Sequence, residues 1–357
     1  MKQTLPVKLA PTGDQAVALL ATMERFNLAC DAIGQVAFAN RCANKVELQK
    51  LVYYDTRERF GLSSQLTVRA ISKVVEAYKR DKTIQPRFRP RGAVPYDQRI
   101  MSWKGVEHVS LLTLGGRELI PTRFGDYQAA RLDRRQGQAD LVLTDGTWFL
   151  YVTIDTPEPT PVEPEDFLGV DLGIVNLAAD SDGTIYTGQA IETKRQVYSH
   201  RRRNLQRNGS KSATRKLRSI KGRQARYQRD TNHRISKTVV RNAKDTGRGI
   251  AVEDLTGIRD RITVRRQQRA RHGNWSFAQL RAFLTYKAVL AGVVLVAVDP
   301  RNTSRTCPEC GHCDKRNRPN QACFRCQSCG HAAPADTTAA RCIRARAGVM
   351  RPMVSAA

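Results

Sequence analysis

The segment Phe167-Leu-Gly-Val-Asp-Leu-Gly173 is a short apolar run that ends in a carboxylate and a glycine. Its length and its flanking glycine predict a buried strand with Asp171 at the end. Two further acids occupy comparable places: Glu253 ends another short apolar run, and Asp336 opens a predicted helix. Three carboxylates that converge on one cleft would bind hard divalent cations such as Mg²⁺. The sequence therefore predicts a site for metal-dependent phosphodiester cleavage.

Each acid also has an ordinary structural explanation. A strand-end aspartate can simply cap a turn, and Asp336 lies where aspartate is a favoured helix N-cap. Glu253 is followed directly by Asp254, so its position alone does not decide which of the two would bind a metal. Strand alternation from Ala251 places these two side chains on opposite faces of the sheet.

Four cysteines just before Asp336 form two Cys-x-x-Cys pairs, Cys307/Cys310 and Cys326/Cys329. Fifteen residues separate the pairs and a glycine follows each one, a spacing typical of four-cysteine zinc sites. Four thiolates leave no open coordination position, so the prediction is one structural Zn²⁺. The alternatives are disulfides or unrelated core cysteines, which the odd total of nine cysteines and the lack of a secretory segment disfavour. The remaining cysteines are predicted to be buried or solvated thiols: Cys30, Cys42, Cys313, Cys323 and Cys342.

The formal charge of +27 at pH 7 is concentrated in the second half of the chain. Residues 1–165 carry 23 Lys+Arg against 19 Asp+Glu, whereas residues 166–357 carry 37 against 14. Within Lys194–Arg248, 19 basic residues accompany two acidic ones, although a solvated helix surface would normally mix both signs. Nucleic acid is therefore the predicted partner. The candidate contacts are Arg201, Arg202, Arg203, Lys211, Arg215, Lys216, Arg218, Lys221, Arg223, Arg265, Arg266, Arg269 and Arg271.

The N-terminal sequence lacks the long apolar core of a signal peptide. The most apolar stretch, Ala288–Val298, is too short to span a bilayer. We therefore expect a cytoplasmic protein without a membrane partner.

Residues 1–165 combine one early strand, a helical segment and a set of strands. Apolar residues recur at helical spacing in Asp14–Asn40 and in Ser63–Lys79. Over Val106–Asp155 the period changes to two, and Asp145-Gly146 is a hairpin turn signal. These features predict a small barrel or curled sheet into which the helices are inserted.

A mixed α/β domain is predicted after a proline-rich linker at Thr156–Glu165. Its predicted elements are strands near Phe167–Leu172, Ile174–Ala179, Thr184–Tyr186, Ile250–Glu253 and Val293–Asp299, a basic helical stretch at about Glu192–Lys244, an arginine-rich loop at Arg259–Arg271, and helices at Trp275–Ala291 and Asp336–Arg346. Mixed strands and helices with acids at the strand ends indicate an RNase H-like fold.

Together these motifs resemble the TnpB (OrfB) family of transposon-encoded RNA-guided nucleases, which is related to compact type V CRISPR effectors. The similar segments are Gly169-Val-Asp-Leu-Gly173, Val252-Glu-Asp-Leu255, Thr303-Ser-Arg-Thr-Cys307, and Trp275-Ser-Phe with Leu284-Thr-Tyr-Lys-Ala288. The cysteine pairs interrupt the nuclease segment as the zinc ribbon of the family does. The resemblance covers essentially the whole chain, and the order of the motifs makes it specific.

The resemblance implies a multidomain α/β architecture. A β-barrel wedge domain would comprise residues 1–10 and 93–160, with a helical recognition domain inserted at 11–92. An RNase H-like nuclease domain of the RuvC type would comprise residues 166–300 and 335–357. A zinc ribbon that binds target nucleic acid would occupy residues 301–334.

The resemblance also implies an activity, namely RNA-guided, divalent-metal-dependent cleavage of double-stranded DNA next to a short flanking motif, in association with an insertion sequence. Asp171, Glu253 and Asp336 would be the catalytic ligands of two Mg²⁺ ions, roughly 4 Å apart as in other two-metal sites. The family motif selects Glu253 over its neighbour. Guide RNA and double-stranded target DNA would be the partners, and the oligomeric state is left open.

One motif departs from the family pattern. Family members usually have Asp-x-Asn-Ala-Ala-x-Asn at the last acid, whereas Thr338 and Cys342 replace both asparagines here. A cleavage-deficient RNA-guided DNA-binding repressor is therefore one alternative, and a compact type V CRISPR effector nuclease is another. A strand-joining transposase is a weaker alternative, because no tyrosine lies beside a paired-histidine motif.

Overall fold

In the computed structural model, which describes residues 1–255 and 277–349, the chain divides into two units, Met1–Pro157 and Glu158–Ala357. The boundary lies at the start of the proline-rich segment that the sequence predicts as a linker.

The first unit is built on a seven-stranded antiparallel sheet that is nearly closed. Its strands are β1 (Lys2–Leu9), β2 (Val94–Asp97), β3 (Met101–Lys104), β4 (His108–Thr113), β5 (Gly116–Arg123), β6 (Arg135–Thr144) and β7 (Thr147–Asp155). They are arranged in the order β2-β6-β7-β1-β5-β4-β3. The predicted turn joins β6 to β7, with positive φ at both Asp145 and Gly146, as a tight two-residue hairpin requires.

Three long helices lie between β1 and β2 in the chain: α1 (Gly13–Ala39), α2 (Lys45–Phe60) and α3 (Ser64–Arg80). Thr12 and Gln15 form a reciprocal capping box at the start of α1. Helix α2 was not predicted as a long helix, because its apolar stripe is thin: Leu48, Val52 and Thr56 are its buried residues. A short helix, α4 (Asp126–Ala129), and a 3₁₀ turn at Leu132–Arg134 complete the unit.

The second unit contains a five-stranded mixed sheet. Its strands are β8 (Phe167–Asp171), β9 (Asn176–Asp180), β10 (Ile185–Thr187), β11 (Gly249–Glu253) and β12 (Leu295–Val298), in the order β10-β9-β8-β11-β12. Strands β8, β11 and β12 are parallel, whereas β9 and β10 are antiparallel. The helices are α5 (Gln189–Asn208), α6 (Lys211–Ile220), α7 (Arg223–Asp245), α8 (Phe277–Ala291) and α9 (Ala335–Val349). The predicted basic stretch is therefore three helices, separated at Gly209 and Gly222, which both have positive φ.

The two faces of this sheet are covered by different helices, as the alternation of side chains dictates. Leu168 and Val170 belong to the core that α7 and α8 help to form, whereas Phe167 packs with Ile343 of α9. Gly169 faces α9 at very short range, because a Cβ there would lie 2.0 Å from the carbonyl oxygen of Ala340. Only glycine permits this approach, which draws the first turns of α9 onto β8.

The cysteine-rich segment forms a small unit of its own between β12 and α9. It contains a 3₁₀ turn at Lys315–Asn317 and a hairpin of β13 (Cys323–Arg325) and β14 (Ala332–Pro334). Helix α9 begins directly after β14, so the cysteine-rich segment leads straight into the helix that carries Asp336.

Within residues 1–255 and 277–349, every helix is too short or too polar to cross a membrane.

Candidate functional site

The three predicted acids lie at one edge of the mixed sheet. Because β8 and β11 are parallel neighbours in the register Val170↔Val252, Asp171 and Glu253 extend from adjacent strand ends. Asp171 lies four residues after Phe167, and Glu253 lies two residues after Ala251. Because side chains alternate along a strand, both acids fall on the face of the sheet that packs against α9. Asp336 is the second residue of α9. The strand register and the seating of α9 therefore bring together carboxylates that are far apart in sequence.

The electrostatics of this edge favour a bound cation. Burial is the main reason that the pKa of Asp171 is raised to about 7, and the charges of Glu253 and Asp336 raise it further. Burial also raises the pKa of Glu253. Like charges that are held together out of water disfavour ionisation unless a cation compensates them. The site thus has the negative potential and the oxygen donors that a hard divalent ion requires.

Asp171 and Glu253 line an open cleft of about 350 Å³, and Arg318, which also lines it, pairs with Asp336. Its lining includes Asp171, Glu253, Asp254, Leu255, Pro300, Thr303, Ser304, Arg318 and Ala339. In the part of the chain that is described, the four cysteines are the only set of three or more His, Cys, Asp or Glu side chains whose ligand atoms all lie within 4.8 Å of one another. The three carboxylates are therefore more widely spaced than a closed protein cage, which leaves room for water or phosphate oxygens as further ligands.

Arg318 is a cleft residue that sequence reasoning missed. Its guanidinium lies 3.4 Å from a carboxylate oxygen of Asp336 and donates to the backbone carbonyl of Gln321 at 2.9 Å. Its charge also counteracts the rise in the Asp171 pKa. No local motif marks it, because it belongs to the loop after the 3₁₀ turn and reaches the acids only through tertiary packing.

Thr303 fixes the orientation of Glu253. Its buried hydroxyl donates a short hydrogen bond to the Glu253 carboxylate, which lowers the otherwise raised pKa of that group. The same oxygen lies 3.1 Å from the carbonyl of Pro300. Partners of this kind orient a ligand before the metal arrives.

Replacing Thr303 by valine is expected to weaken divalent-cation binding about 10- to 100-fold, the usual cost of losing an outer-shell partner of a metal ligand. Isothermal titration of the metal-free protein with Mn²⁺ would measure the change. Thr303→Ser keeps the hydroxyl and is the matched control. Equal affinities for all three proteins would contradict the positioning role.

Asp254 differs from its neighbour in the way that strand alternation predicts. Its carboxylate pairs with Arg281 of α8 at 2.8 Å, and its side chain is 48% exposed. Glu253 is 9% exposed and faces the other acids. Of the two, Glu253 is thus the one placed to share a cation with Asp171.

The residues at the two altered motif positions do not contact the acids. The Thr338 hydroxyl donates to the carbonyl of Pro334, the last residue of β14, at 3.0 Å, and the Cys342 thiol contacts the carbonyl of Thr306 at 3.1 Å. Instead, Asn176 at the start of β9 donates from its side-chain amide to Asp336 at 2.7 Å. An amide therefore supports the last acid from a different strand, 160 positions away.

The four cysteines are gathered as their spacing predicts. The Sγ atoms of Cys307 and Cys329 are 3.6 Å apart, as are those of Cys310 and Cys326. Four thiolates at roughly 2.3 Å from a tetrahedral Zn²⁺ would have sulfurs about 3.8 Å apart, so the cluster fits such an ion. Backbone N–H groups that donate to the sulfur of Cys326 lower the pKa of this thiol to about 6. The lower pKa favours the thiolate form that binds metal.

The two cysteine loops are near copies of one another and are joined by one buried amide. Each cysteine loop ends in a glycine with positive φ, Gly311 or Gly330. Asn317 is fully buried; it donates to the carbonyls of Arg305 and His312 at 2.9 and 3.0 Å and accepts from the N–H of Gln327 at 2.8 Å. This residue, which sequence reasoning missed, fixes the first loop against the second.

The basic residues proposed to bind nucleic acid lie on or between helices α5, α6 and α7. All nine that the structure describes are exposed: Arg201, Arg202, Arg203, Lys211, Arg215, Lys216, Arg218, Lys221 and Arg223. Arg265, Arg266, Arg269 and Arg271 lie outside the described residues. The role of all thirteen residues in binding nucleic acid stays a prediction.

Two family models match the chain. The OrfB_IS605 model, described as "Probable transposase", matches residues 149–258. The model described as "Cas12f1-like, TNB domain" matches residues 277–343. Between them they include Asp171, Glu253, Asp336 and all four clustered cysteines.

Individual relatives agree with the models. A protein of Escherichia coli K12 named "Putative RNA-guided DNA endonuclease InsQ" is 26% identical, over 96% of this chain and 92% of that protein. The CRISPR-associated endodeoxyribonuclease Cas12f1 of Sulfoacidibacillus thermotolerans is 34% identical, over 65% of this chain and 57% of its own length. The chain thus spans little more than half of that relative.

Solved structures share the fold. A Cas12f1–sgRNA–target DNA complex matches with a TM-score of 0.64 at 15% identity, over 91% of this chain and 82% of the other. The mini-RNA-guided endonuclease CRISPR-Cas_phi3 matches with a TM-score of 0.61 at 11% identity, over 100% of this chain and 94% of the other. The two matching models and the relative that is matched over nearly its whole length show that this chain is similar in sequence to the TnpB (OrfB) family and to the compact type V CRISPR effectors. The solved structures show that it shares their fold.

Proposed function

We propose that this protein is an RNA-guided, divalent-metal-dependent DNA endonuclease of the TnpB type, associated with an insertion sequence. The observation that carries the proposal is the convergence of Asp171, Glu253 and Asp336, with the Asp171 pKa raised to about 7, at the end of parallel strands. Ionising these neighbouring carboxylates costs free energy unless a cation is bound, and a bound divalent cation can catalyse phosphodiester cleavage. The exposed basic surface of α5–α7 supplies the electrostatic attraction for a polyanion.

In this proposal the chain's carboxylates hold two Mg²⁺ ions. When bound, the ions supply an ionised water and stabilise charge on the phosphate and leaving oxygens. Asp171, Glu253 and Asp336 would hold these ions through their carboxylate oxygens. Thr303 and Asn176 hold the last two of these carboxylates in place through the hydrogen bonds described above. Arg318 brings a guanidinium to the same cleft, where it can donate to a phosphate oxygen.

The remaining assignments follow from the same proposal. The mixed sheet with α7, α8 and α9 would be a RuvC-type nuclease domain of the RNase H-like class, interrupted by the zinc ribbon. The sheet of the first unit would be the wedge domain and α1–α3 the recognition domain. Guide RNA and double-stranded DNA would be the partners, with base pairing supplying sequence specificity and the protein contacting backbones. Because it would bind DNA, the protein would be located at the nucleoid of a prokaryotic cell.

The test begins with the RNA. The protein would be purified together with RNA expressed from its native locus, and the RNA would be sequenced. The complex would then be incubated, with Mg²⁺ or with EDTA, with a plasmid library that carries the matching target beside random flanking sequences. The proposal expects one discrete RNA and Mg²⁺-dependent cutting beside a fixed motif. Target binding by the same complex without cutting would instead identify a repressor. The absence of any specific RNA would overturn the proposal.

Replacing Asn176 by alanine is expected to slow cleavage about 10- to 100-fold, because Asp336 would lose the amide that orients it. Target binding should be unchanged, since Asn176 lies at the acids and not on the exposed basic helices. Single-turnover cleavage by the loaded complex would measure the effect. Asn40→Ala, at an exposed asparagine that ends α1, is the matched control. Wild-type rates for Asn176→Ala would show that Asp336 needs no such support.

A further inference from the structure

The segment Gln85–Gly92, which we call the arginine arm, has a fixed shape although it contains no helix or strand. From Pro86 to Arg89 its residues alternate between the protein and solvent, and Pro90 and Arg91 then form an exposed turn that the N–H of Gly92 closes by donating to the carbonyl of Arg89. Pro86 is buried and Phe88 is half-buried, whereas Arg87, Arg89 and Arg91 are exposed. The arm therefore presents a row of three guanidinium groups from a backbone that is packed against the first unit.

A half-buried lysine anchors the end of the arm. The Lys73 ammonium of α3 donates to the side-chain oxygen of Asn27 at 2.8 Å and to the carbonyl of Ala93 at 2.6 Å. It also lies 5.0 Å from the centroid of the Phe88 ring, within cation–π range. Its partial burial lowers the pKa of the Lys73 ammonium.

Helix α1 supplies the other anchors. The amide of Asn27 donates to the carbonyl of Gly92 at 2.9 Å, and the Asp31 carboxylate accepts from the N–H of Phe88 at 2.6 Å. At Gly34 the arm touches the helix backbone, since a Cβ there would lie 2.8 Å from the carbonyl oxygen of Pro86. The buried Asn27 and the half-buried Asp31 and Lys73, on two helices, thus hold this one irregular segment in place. A simple connection between α3 and β2 would not need so many anchoring contacts. Ordered loops of this kind often carry function.

The exposed side of the arm has the chemistry of a phosphate-binding surface. Arg87 and Arg89 are two positions apart, a spacing of about 6–7 Å on an extended backbone. Planar guanidinium groups bind phosphate oxygens through paired hydrogen bonds. The arm contains no acid, and Arg91 lies 3.3 Å from Glu24 in an exposed pair. Arg87 and Arg89 are therefore its principal cationic contacts.

We propose that the arginine arm binds consecutive phosphates of the guide RNA strand. This inference rests on the proposed RNA-guided function and names one surface of the first unit that contacts the guide. The first unit has little overall positive charge, 23 basic against 19 acidic residues through position 165, so a local and ordered cationic row matters more here than in the basic second half. A contact that is organised in advance loses little entropy on binding, which suits the partner that stays bound while target strands enter and leave.

The test compares guide-RNA binding by the double variant Arg87→Gln/Arg89→Gln with that of wild type, without DNA, across a range of salt concentrations. Each phosphate contact contributes about 0.7 to the slope of log affinity against log salt for a single strand. Loss of two contacts should reduce the slope by about 1.4, which corresponds to roughly 25-fold weaker binding at 0.1 M salt if affinity at 1 M is unchanged. Lys45→Gln/Lys50→Gln, at exposed positions of α2, makes the same charge change elsewhere in the unit.

A second variant tests the anchoring and not the charge. Gly34→Ala keeps every arginine but forces the arm away from α1, and it should also weaken RNA binding, with circular dichroism showing that the helices remain. An unchanged salt slope for the arginine variant, or an equal change for the lysine control, would overturn the proposal. So would normal RNA binding combined with a reduced salt slope for target DNA, which would assign the arm to DNA. Failure of wild type to bind its own guide would instead overturn the proposed function, so the two failures are distinguishable.

Discussion

Asp171→Asn is expected to lower the rate of DNA cleavage by about three orders of magnitude or more. The substitution keeps the shape of the side chain but removes the anionic charge that acts together with Glu253 and Asp336, and each 1.36 kcal/mol of lost transition-state stabilisation is tenfold in rate. Guide-RNA binding should remain within about twofold of wild type, since the carboxylate lies in the cleft, away from the basic helices. Single-turnover cleavage and RNA filter binding on the same preparation would measure both quantities.

The same variant is expected to be more stable than wild type when metal is absent. The pKa of Asp171 rises from 3.8 to about 7 on folding, so its ionisation opposes folding. Below about pH 4 the group is protonated in both states and the variant gains nothing. The penalty grows as pH rises toward 7 and is complete above it. Thermal unfolding in EDTA should therefore show a higher Tm for the variant at pH 8 and no difference at pH 4.

The control for Asp171→Asn is Asp245→Asn, which removes an exposed carboxylate at the end of α7 in the same unit. It should leave cleavage close to wild type and should not raise the Tm in a pH-dependent way. If Asp171→Asn cut DNA at the wild-type rate, the cleft would not be the nuclease centre. If it lost RNA binding as well, the aspartate would have a structural role in the complex instead.

Cys326→Ser is expected to release Zn²⁺ and to disorder the cysteine-rich segment. Structural zinc contributes about 10–16 kcal/mol to the folding of small zinc units, and this segment has a small core of its own, made by Cys307, Phe324, Cys326 and Ala335. Atomic absorption should find no stoichiometric zinc in the purified variant, against one ion per chain in wild type. The Tm should fall, and EDTA should reproduce the effect in wild type.

Cleavage should also fall in Cys326→Ser, by at least about 100-fold, because the zinc segment leads directly into the helix that carries Asp336. The N–H of Ala335 donates to the carbonyl of Ala322 at 2.9 Å, and Arg318 of the same segment contacts Asp336. Cys323→Ser is the matched control, since Cys323 is exposed on β13 and lies outside the four-sulfur cluster. Zinc retained in Cys326→Ser, or lost equally in Cys323→Ser, would contradict the assignment of the ligands.

Much of the local structure could be predicted from periodicity and spacing. The apolar runs that end at Asp171 and Glu253 form strands because alternate side chains face two helical layers, and both acids fall on the face that α9 covers. Asp145-Gly146 forms the hairpin because both residues tolerate positive φ. The cysteine pairs come together because each loop closes on itself within four residues. Helix α2 was missed because its burial is decided by its neighbours α1 and α3 and not by a strong apolar stripe of its own.

The sequence by itself determined the identity of the candidate ligands: three acids at element ends and four cysteines in two short loops. These are local properties, since a strand end or a tight loop is specified within a few residues. The tertiary structure alone decided what surrounds them: Asn176 against Asp336, Thr303 against Glu253, and Arg318 in the cleft. Those partners are separated from their carboxylates by 160, 50 and 18 positions, and their contacts depend on how the α9 helix and the zinc segment pack. Such packing is a sum of many weak contacts over the whole unit, so no short motif can encode it.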